Sequence, residues 1–223
     1  MRKEKGIAIN WEEVHAIKAG IHDNPHHILG PHMEYDGLVI NAHVKDALKV
    51  EVVSLESDLV YEMRNSGIDN FYTLPTYEKS IFKYKFRITY RNGDVYEYID
   101  PYQFDPVLDA MDINGFQNGI HYTVYDRLGA HKMTIDGIEG IYFAVWAPRA
   151  TRVSVVGDFN LWDGTRHLMR KLPESGIFEL FVPEAKIGDL YKYEIRGIDG
   201  DVFMKTDPFG NATELRPGTA SIV

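Results

Sequence analysis

The chain has 223 residues and a net charge of −9 with acidic and basic residues interspersed, so it lacks the basic run that a nucleic-acid backbone requires. The absence of cysteine excludes disulfide scaffolds and thiolate zinc sites, and the absence of long apolar runs argues against a signal sequence or a membrane span. The 19 glycines, 10 prolines and 13% aromatic content suit one or two compact domains rich in strands and turns, in a setting expected to be cytoplasmic.

In chain order, Asn10 and Glu13 form a capping-box pattern that opens a short helix closed by Gly20. Pro25 and Gly30 then bracket a brief helical turn, and a strand is expected over Leu38 to Val44. Asp105 to Tyr125 is rich in Asp, Asn and Gly, with Val107, Leu108 and Met111 at helical spacing. It reads as a linker with a short helix. Thr123 and Asp126 cap a further turn. From Phe143 to Gly164 the sequence FAVWAPRATRVSVVGDFNLWDG reads as strand, corner, strand and tight loop. That loop presents Trp162 beside Asn160 and Asp163. Aromatic plates next to amides and carboxylates suit a sugar-binding surface, where ring faces stack and hydroxyls take hydrogen bonds. The alternative is that Trp146 and Trp162 fill a sandwich core.

Much of the chain occurs twice. LGPH at Leu29 to His32 returns as LGAH at Leu128 to His131, and Asp100-Pro101 returns as Asp207-Pro208. The offsets are 99 and 107 residues, so an insertion of eight aligns what lies between. Lys49 to Val53 matches Arg152 to Val156, Met63-Arg64 matches Met169-Arg170, and Tyr84 to Ile88 matches Tyr191 to Ile195. Each copy holds about six or seven short strands with no alternating helix. The expected fold is all-β: two tandem immunoglobulin-like β-sandwich units with a short helical N-terminus and linker. The divisions are 1–19 for the helix, 20–106 for the first sandwich, 107–124 for the linker and 125–223 for the second sandwich. The first copy has His43 or Val44 at the place of Trp146 and no counterpart of GDFNLWDG, so a sugar site belongs to the second.

Other constellations carry little. His26, His27 and His32 have no nearby carboxylate or thiol to complete a metal set, and Gly137, Gly140 and Gly157 open no helix that would cradle phosphate. Neither metal nor cofactor is expected. Asn211-Ala212-Thr213 matches a glycosylation acceptor that a cytoplasmic chain would never use.

FAVWAP at Phe143 to Pro148, VVGDFNLWDG at Val155 to Gly164 and YKYEI at Tyr191 to Ile195 make the second unit resemble the family-48 carbohydrate-binding module. Together with LGPH and DPYQF at Asp100 to Phe104, the tandem resembles the N-terminal region of bacterial glycogen branching enzymes. The resemblance implies binding of alpha-1,4-glucan (glycogen, amylose, maltooligosaccharides), with Trp146 as stacking platform and Lys192 as hydroxyl-directed donor, supported by Trp162 and Asn160. The family's second stacking tryptophan would fall near Phe203. The resemblance also implies, as a partner, a catalytic (α/β)₈ barrel of the same polypeptide, which would carry the two carboxylates of retaining glycosyl transfer. No such framework is present here, so the chain alone is expected to have no catalytic residues, as a truncated reading frame or an excised domain would. A free-standing glycogen- or starch-binding scaffold and an immunoglobulin-like protein-interaction domain are the alternatives.

Overall fold

The computed structural model describes residues 10–68 and 70–223, which divide into two compact units. The first takes the chain up to Ala19 together with His26–Gln103, and the second takes Gly20–Pro25 together with Phe104–Val223. Each is built from two antiparallel sheets. No helix among the described residues is long and apolar enough to cross a membrane.

Helix α1 (Trp11–Lys18) opens the first unit. The Asn10 side chain accepts the N–H groups of Glu12 and Glu13, which satisfies two of the donors that a helix start leaves free. The strands follow as β1 (Gly30–Glu34), β2 (Gly37–His43), β3 (Ala47–Ser54), β4 (Val60–Glu62), β5 (Arg64–Asn65), β6 (Phe71–Pro75), β7 (Tyr84–Tyr90) and β8 (Val95–Ile99). Their sheets have the orders β1-β2-β6-β5 and β4-β3-β7-β8. Leu38 and Ile40 of β2 close the core against Val50, Val52 and Phe86 from the facing sheet. β2 is buried along nearly its whole length rather than at alternate positions. The reason is that Val14 and Ile17 of α1 cover its sheet's outer face beside Phe71.

The second unit repeats this plan with β9 (Gly129–Ile135), β10 (Ile138–Trp146), β11 (Ala150–Gly157), β12 (Arg170–Lys171), β13 (Ile177–Val182), β14 (Leu190–Gly197), β15 (Val202–Lys205), β16 (Ala212–Thr213) and β17 (Ser221–Ile222). One sheet runs β12-β13-β10-β9. The other runs β11-β14-β17-β16, with β15 also paired to β14. Phe143 of β10 meets Tyr191 of β14 across the core, ring centroids 5.0 Å apart.

The repeat reaches the atomic level. Each unit has a register shift at the same place, between Ala47 and Lys49 against β7 and between Ala150 and Arg152 against β14. His32 Nε2 lies 3.1 Å from the Leu29 carbonyl, and His131 Nε2 lies 2.9 Å from that of Leu128. Each Asp-Pro pair supplies a buried carboxylate to a core tyrosine: Tyr84 donates to Asp100 at 2.5 Å, and Tyr191 donates to Asp207 at 2.7 Å. At Gly30 and Gly129, both at positive φ, a side chain would run into the backbone that follows these aspartates, at Tyr102 and Phe209.

The segment read as a linker, 107–124, packs within the second unit. Its helix, α2 (Ala110–Gln117), begins later than the spacing of Val107, Leu108 and Met111 suggests, behind an Asp109 cap closed reciprocally with Asp112. Val107 and Leu108 instead donate their backbone N–H groups to Glu179, each at 3.2 Å. A wholly buried carboxylate needs donors, and this demand outweighs local helix propensity. Met111 is left in solvent, and Thr123 stands at the start of its turn without making a side-chain cap.

Candidate functional site

Side-chain parity sorts the residues singled out in the sequence. On β14, Tyr191 and Tyr193 are fully buried in the core, so Leu190, Lys192, Glu194 and Arg196 lie on the outer face of that sheet. Lys192 donates from Nζ to the Thr219 hydroxyl at 2.6 Å. On β10, Phe143 and Val145 point inward, so Tyr142, Ala144 and Trp146 lie on the outer face of the other sheet.

Trp146 and Lys192 are therefore on opposite sides of the sandwich. They do not form one site as the sequence reading supposed. Both positions sit in motifs of the same repeat, but the core separates them, and facing sheets are about 10 Å apart. The Trp146 ring is half exposed and meets Phe116 of α2 edge-on, centroids 5.8 Å apart. Gly176, at φ +71°, lets Pro148 and the Trp146 indole nitrogen come close where any side chain would collide with Pro148.

Asn160 is also relocated. It is 1% exposed, and its amide is used entirely within the loop. Gly157 N–H donates to its Oδ1 at 2.9 Å, while its Nδ2 donates to the Val155 carbonyl and to His167 Nδ1, both at 2.9 Å. This arrangement makes Asn160 the internal brace of the loop with no group left for a sugar. It also defines His167 as the tautomer with a bare Nδ1, because the Gly157 donor orients the amide. Burial pushes the His167 imidazole down to about 3, with Arg166 adding to the shift and Asp163 opposing it.

The brace has a consequence for Trp162. Leu161 and Trp162 follow at φ +58° and +60°, a left-handed conformation that costs non-glycine residues roughly 1–2 kcal/mol each. The loop sustains it through bonds from Trp162 N–H to the Gly157 carbonyl and from Asp163 N–H to that of Asn160. The Trp162 ring is consequently 36% exposed rather than in the core. Its Nε1 donates to Asp158 Oδ1 at 3.3 Å, and Asp158 Oδ2 accepts the Leu190 N–H at 2.9 Å. One carboxylate thus joins the indole to the strand that carries Lys192, two residues on and on the same face. Backbone strain held by surrounding bonds is characteristic of functional loops.

Two further residues share this face and were missed. Met204 pairs with Glu194 in the β14–β15 register, so Met204 has the parity of Lys192. Phe203 pairs with Ile195 and has the opposite parity, with Lys205 5.4 Å from its ring. The residue of β15 that shares the outer face with Lys192 is therefore Met204, not Phe203. Counting back three residues from the Asp207 anchor would have found it. Thr219, which receives Lys192, is held by Thr206 Oγ1 donating to its carbonyl at 2.7 Å, a long-range contact with no local signature.

The same face also carries a buried ionic network. Arg152, 4% exposed, donates to Glu194 at 2.5 Å, to Ser154 Oγ at 3.0 Å and to the Gly20 carbonyl at 2.9 Å. Gly164 has no room for a side chain, because one would meet the Glu194 carboxylate. The whole site is thus an exposed indole, an ammonium, a hydroxyl and a thioether on a β platform, which can stack and hydrogen-bond a polyhydroxylated chain.

Comparison with known proteins gives this architecture its class. A family model described as carbohydrate-binding module 48 (isoamylase N-terminal domain) matches residues 127–210, and one described as alpha-1,4-glucan branching enzyme GlgB, N-terminal domain, matches residues 10–102. The two matches follow one another in the order of a branching-enzyme N-terminal domain and a family-48 module. The 1,4-alpha-glucan branching enzyme GlgB 1 of Rhizobium johnstonii is 42% identical over 97% of this chain and 30% of its own length. GlgB of Synechocystis sp. is 42% identical over 96% of this chain and 28% of its own. The chain matches the N-terminal, non-catalytic part of GlgB branching enzymes and spans about 30% of the length of these relatives. Among solved structures, pullulanase from Anoxybacillus sp. LM18-11 superposes with a TM-score of 0.38 and 17% identity, over 87% of this chain and 27% of that one.

Proposed function

We infer that the chain serves a 1,4-alpha-glucan branching enzyme of glycogen biosynthesis by holding alpha-1,4-glucan on the outer face of β14. Trp162 stacks on the sugar, Lys192 and Thr219 bond its hydroxyls, and Asn160 supports the loop from within. The observation that carries this reading is the partly exposed Trp162 indole, linked through Asp158 to the Lys192 strand inside the segment that matches family 48. The fold of each unit is taken as immunoglobulin-like, and the module's partner as a catalytic barrel of the same polypeptide in the cytoplasm.

Affinity electrophoresis of the full chain in glycogen, with calorimetry on maltoheptaose, tests the assignment. Trp162→Ala is expected to weaken binding by up to about tenfold, since aromatic stacking contributes roughly 0.5–1.5 kcal/mol beyond area burial. Lys192→Ala is expected to be non-additive with Trp162→Ala, as residues sharing one ligand are, whereas Trp146→Ala is expected to add independently and change binding less than about twofold. A folded Trp162→Ala protein with unchanged retardation would remove this face from the site. No retardation of the wild type by glycogen would instead favour a protein-interaction module.

A further inference from the structure

The internal repeat exposes a difference between the units. In the second unit, the Gly20–Pro25 strap runs along the start of β11 and the free edge of β12. The Gly20 carbonyl accepts from Arg152 Nε at 2.9 Å, and the Asp23 carbonyl accepts from Lys171 N–H at 2.7 Å. The counterparts of Arg152 and Lys171 in the first unit are Lys49 and Asn65, at the same register shift and the same step past the Met-Arg pair. Backbone directions agree as well: Ser66 N–H bonds the Phe71 carbonyl as Leu172 N–H bonds that of Ile177, so the preceding N–H of Asn65, like that of Lys171, turns away from the sheet. In the first unit this place is a groove of about 580 Å³ lined by Lys49, Glu62, Met63, Arg64, Asn65 and Arg91 among others. Lys49 is paired with Glu51 at 2.7 Å and with Glu62 at 3.5 Å, and the groove also presents Arg64 and Arg91.

We propose that this groove of the first unit is a docking site for an extended, acidic polypeptide segment, which lies along β5 as Gly20–Pro25 lies along β12. Main-chain carbonyls of the segment accept from Asn65 N–H, and its carboxylates meet Arg64 and Arg91. Strand addition supplies main-chain hydrogen bonds, and the cationic rim selects the charge. A glucan would use neither the edge N–H in strand register nor the guanidinium groups as charge partners.

The test is a titration of the ¹⁵N-labelled full chain with an acetylated, amidated Gly-Glu-Asp-Glu-Gly peptide, followed by amide shifts. The expected result is saturable shifts at Asn65 and its groove neighbours and a Kd raised about tenfold or more by Arg91→Glu, an exposed substitution. Folded Asn65→Pro, which lacks the N–H, should bind at least about tenfold more weakly. If Asn65→Pro does not fold, Arg91→Glu alone decides. Absence of groove shifts at millimolar peptide, or an Arg91→Glu protein that binds unchanged, overturns the proposal. So do equal shifts from the Lys-substituted peptide, maltoheptaose or inorganic phosphate.

Discussion

Glu179→Ala is expected to destabilise the second unit by about 3–5 kcal/mol, the cost of leaving a buried charge without its partner. The Glu179 carboxylate is 3.1 Å from Arg170 Nε, and both side chains are almost wholly buried. It also accepts from the Tyr142 hydroxyl at 2.8 Å and from the Val107 and Leu108 N–H groups. Removing it strands a guanidinium whose remaining bond is from Nη2 to the Phe104 carbonyl, and it leaves two backbone donors and a phenol without their acceptor. The segment ahead of α2 should come loose with it, because those two donors tie that segment to β13. Hydrogen exchange of the β13 amides under mild urea reads the loss directly. Replacing both charges, as Glu179→Leu with Arg170→Met, should recover most of it, since an apolar pair of similar volume needs no compensation. A loss under about 1 kcal/mol in Glu179→Ala would show that the carboxylate does not organise this face.

Acidification from pH 7 to pH 5 is expected to weaken the second unit through His167 while strengthening the first through Asp100. His167 is buried neutral with its pKa depressed to about 3, below the ordinary value near 6.5. On unfolding it takes up a proton, so its contribution is complete above about pH 6.5 and is lost as pH falls toward 3. By pH 5 the loss amounts to about 2 kcal/mol. Burial pushes the Asp100 carboxyl up to about 6, against the hydrogen bonds from Tyr84 and Tyr102 N–H. The native state then holds the proton more tightly than the unfolded chain, and stability from this group rises as pH falls through 6, by about 1 kcal/mol at pH 5. Asp207, raised mainly by burial, acts in the same direction as Asp100 but within the second unit. His167→Asn separates these terms, because its Oδ1 can still accept from Asn160 and it does not titrate. The pH 7-to-5 change in urea midpoint should be smaller in the variant than in the wild type by the His167 contribution. An identical pH dependence in both would mean that His167 takes up its proton as readily in the folded loop as in the unfolded chain.

The architecture was largely legible in the sequence. LGxH, the Asp-Pro pairs and the paired strands announced two copies of one β unit, because each motif does a local job that leaves a local mark: glycine at positive φ, histidine back to a carbonyl three residues earlier, aspartate next to proline. Asn10 and the N-terminal helix were readable for the same reason. The site was only half legible. Trp162 and Lys192 stand out by residue type, yet so do Trp146 and Asn160. Nothing in residue type tells an indole on one outer face from an indole on the other. Parity within β10 and β14 decides that, and parity has meaning only once the core is known. Asn160 looked like a sugar ligand because amides bind hydroxyls, but three partners 3–7 residues away had already claimed it. The Glu179 bonds to Val107 and Leu108, the Lys192–Thr219 bond and the Gly20–Pro25 strap join residues tens of positions or more apart, so their order along the chain holds no trace of them. Local chemistry writes itself into short sequence patterns, whereas which side chains share a face is settled by the packing of two sheets.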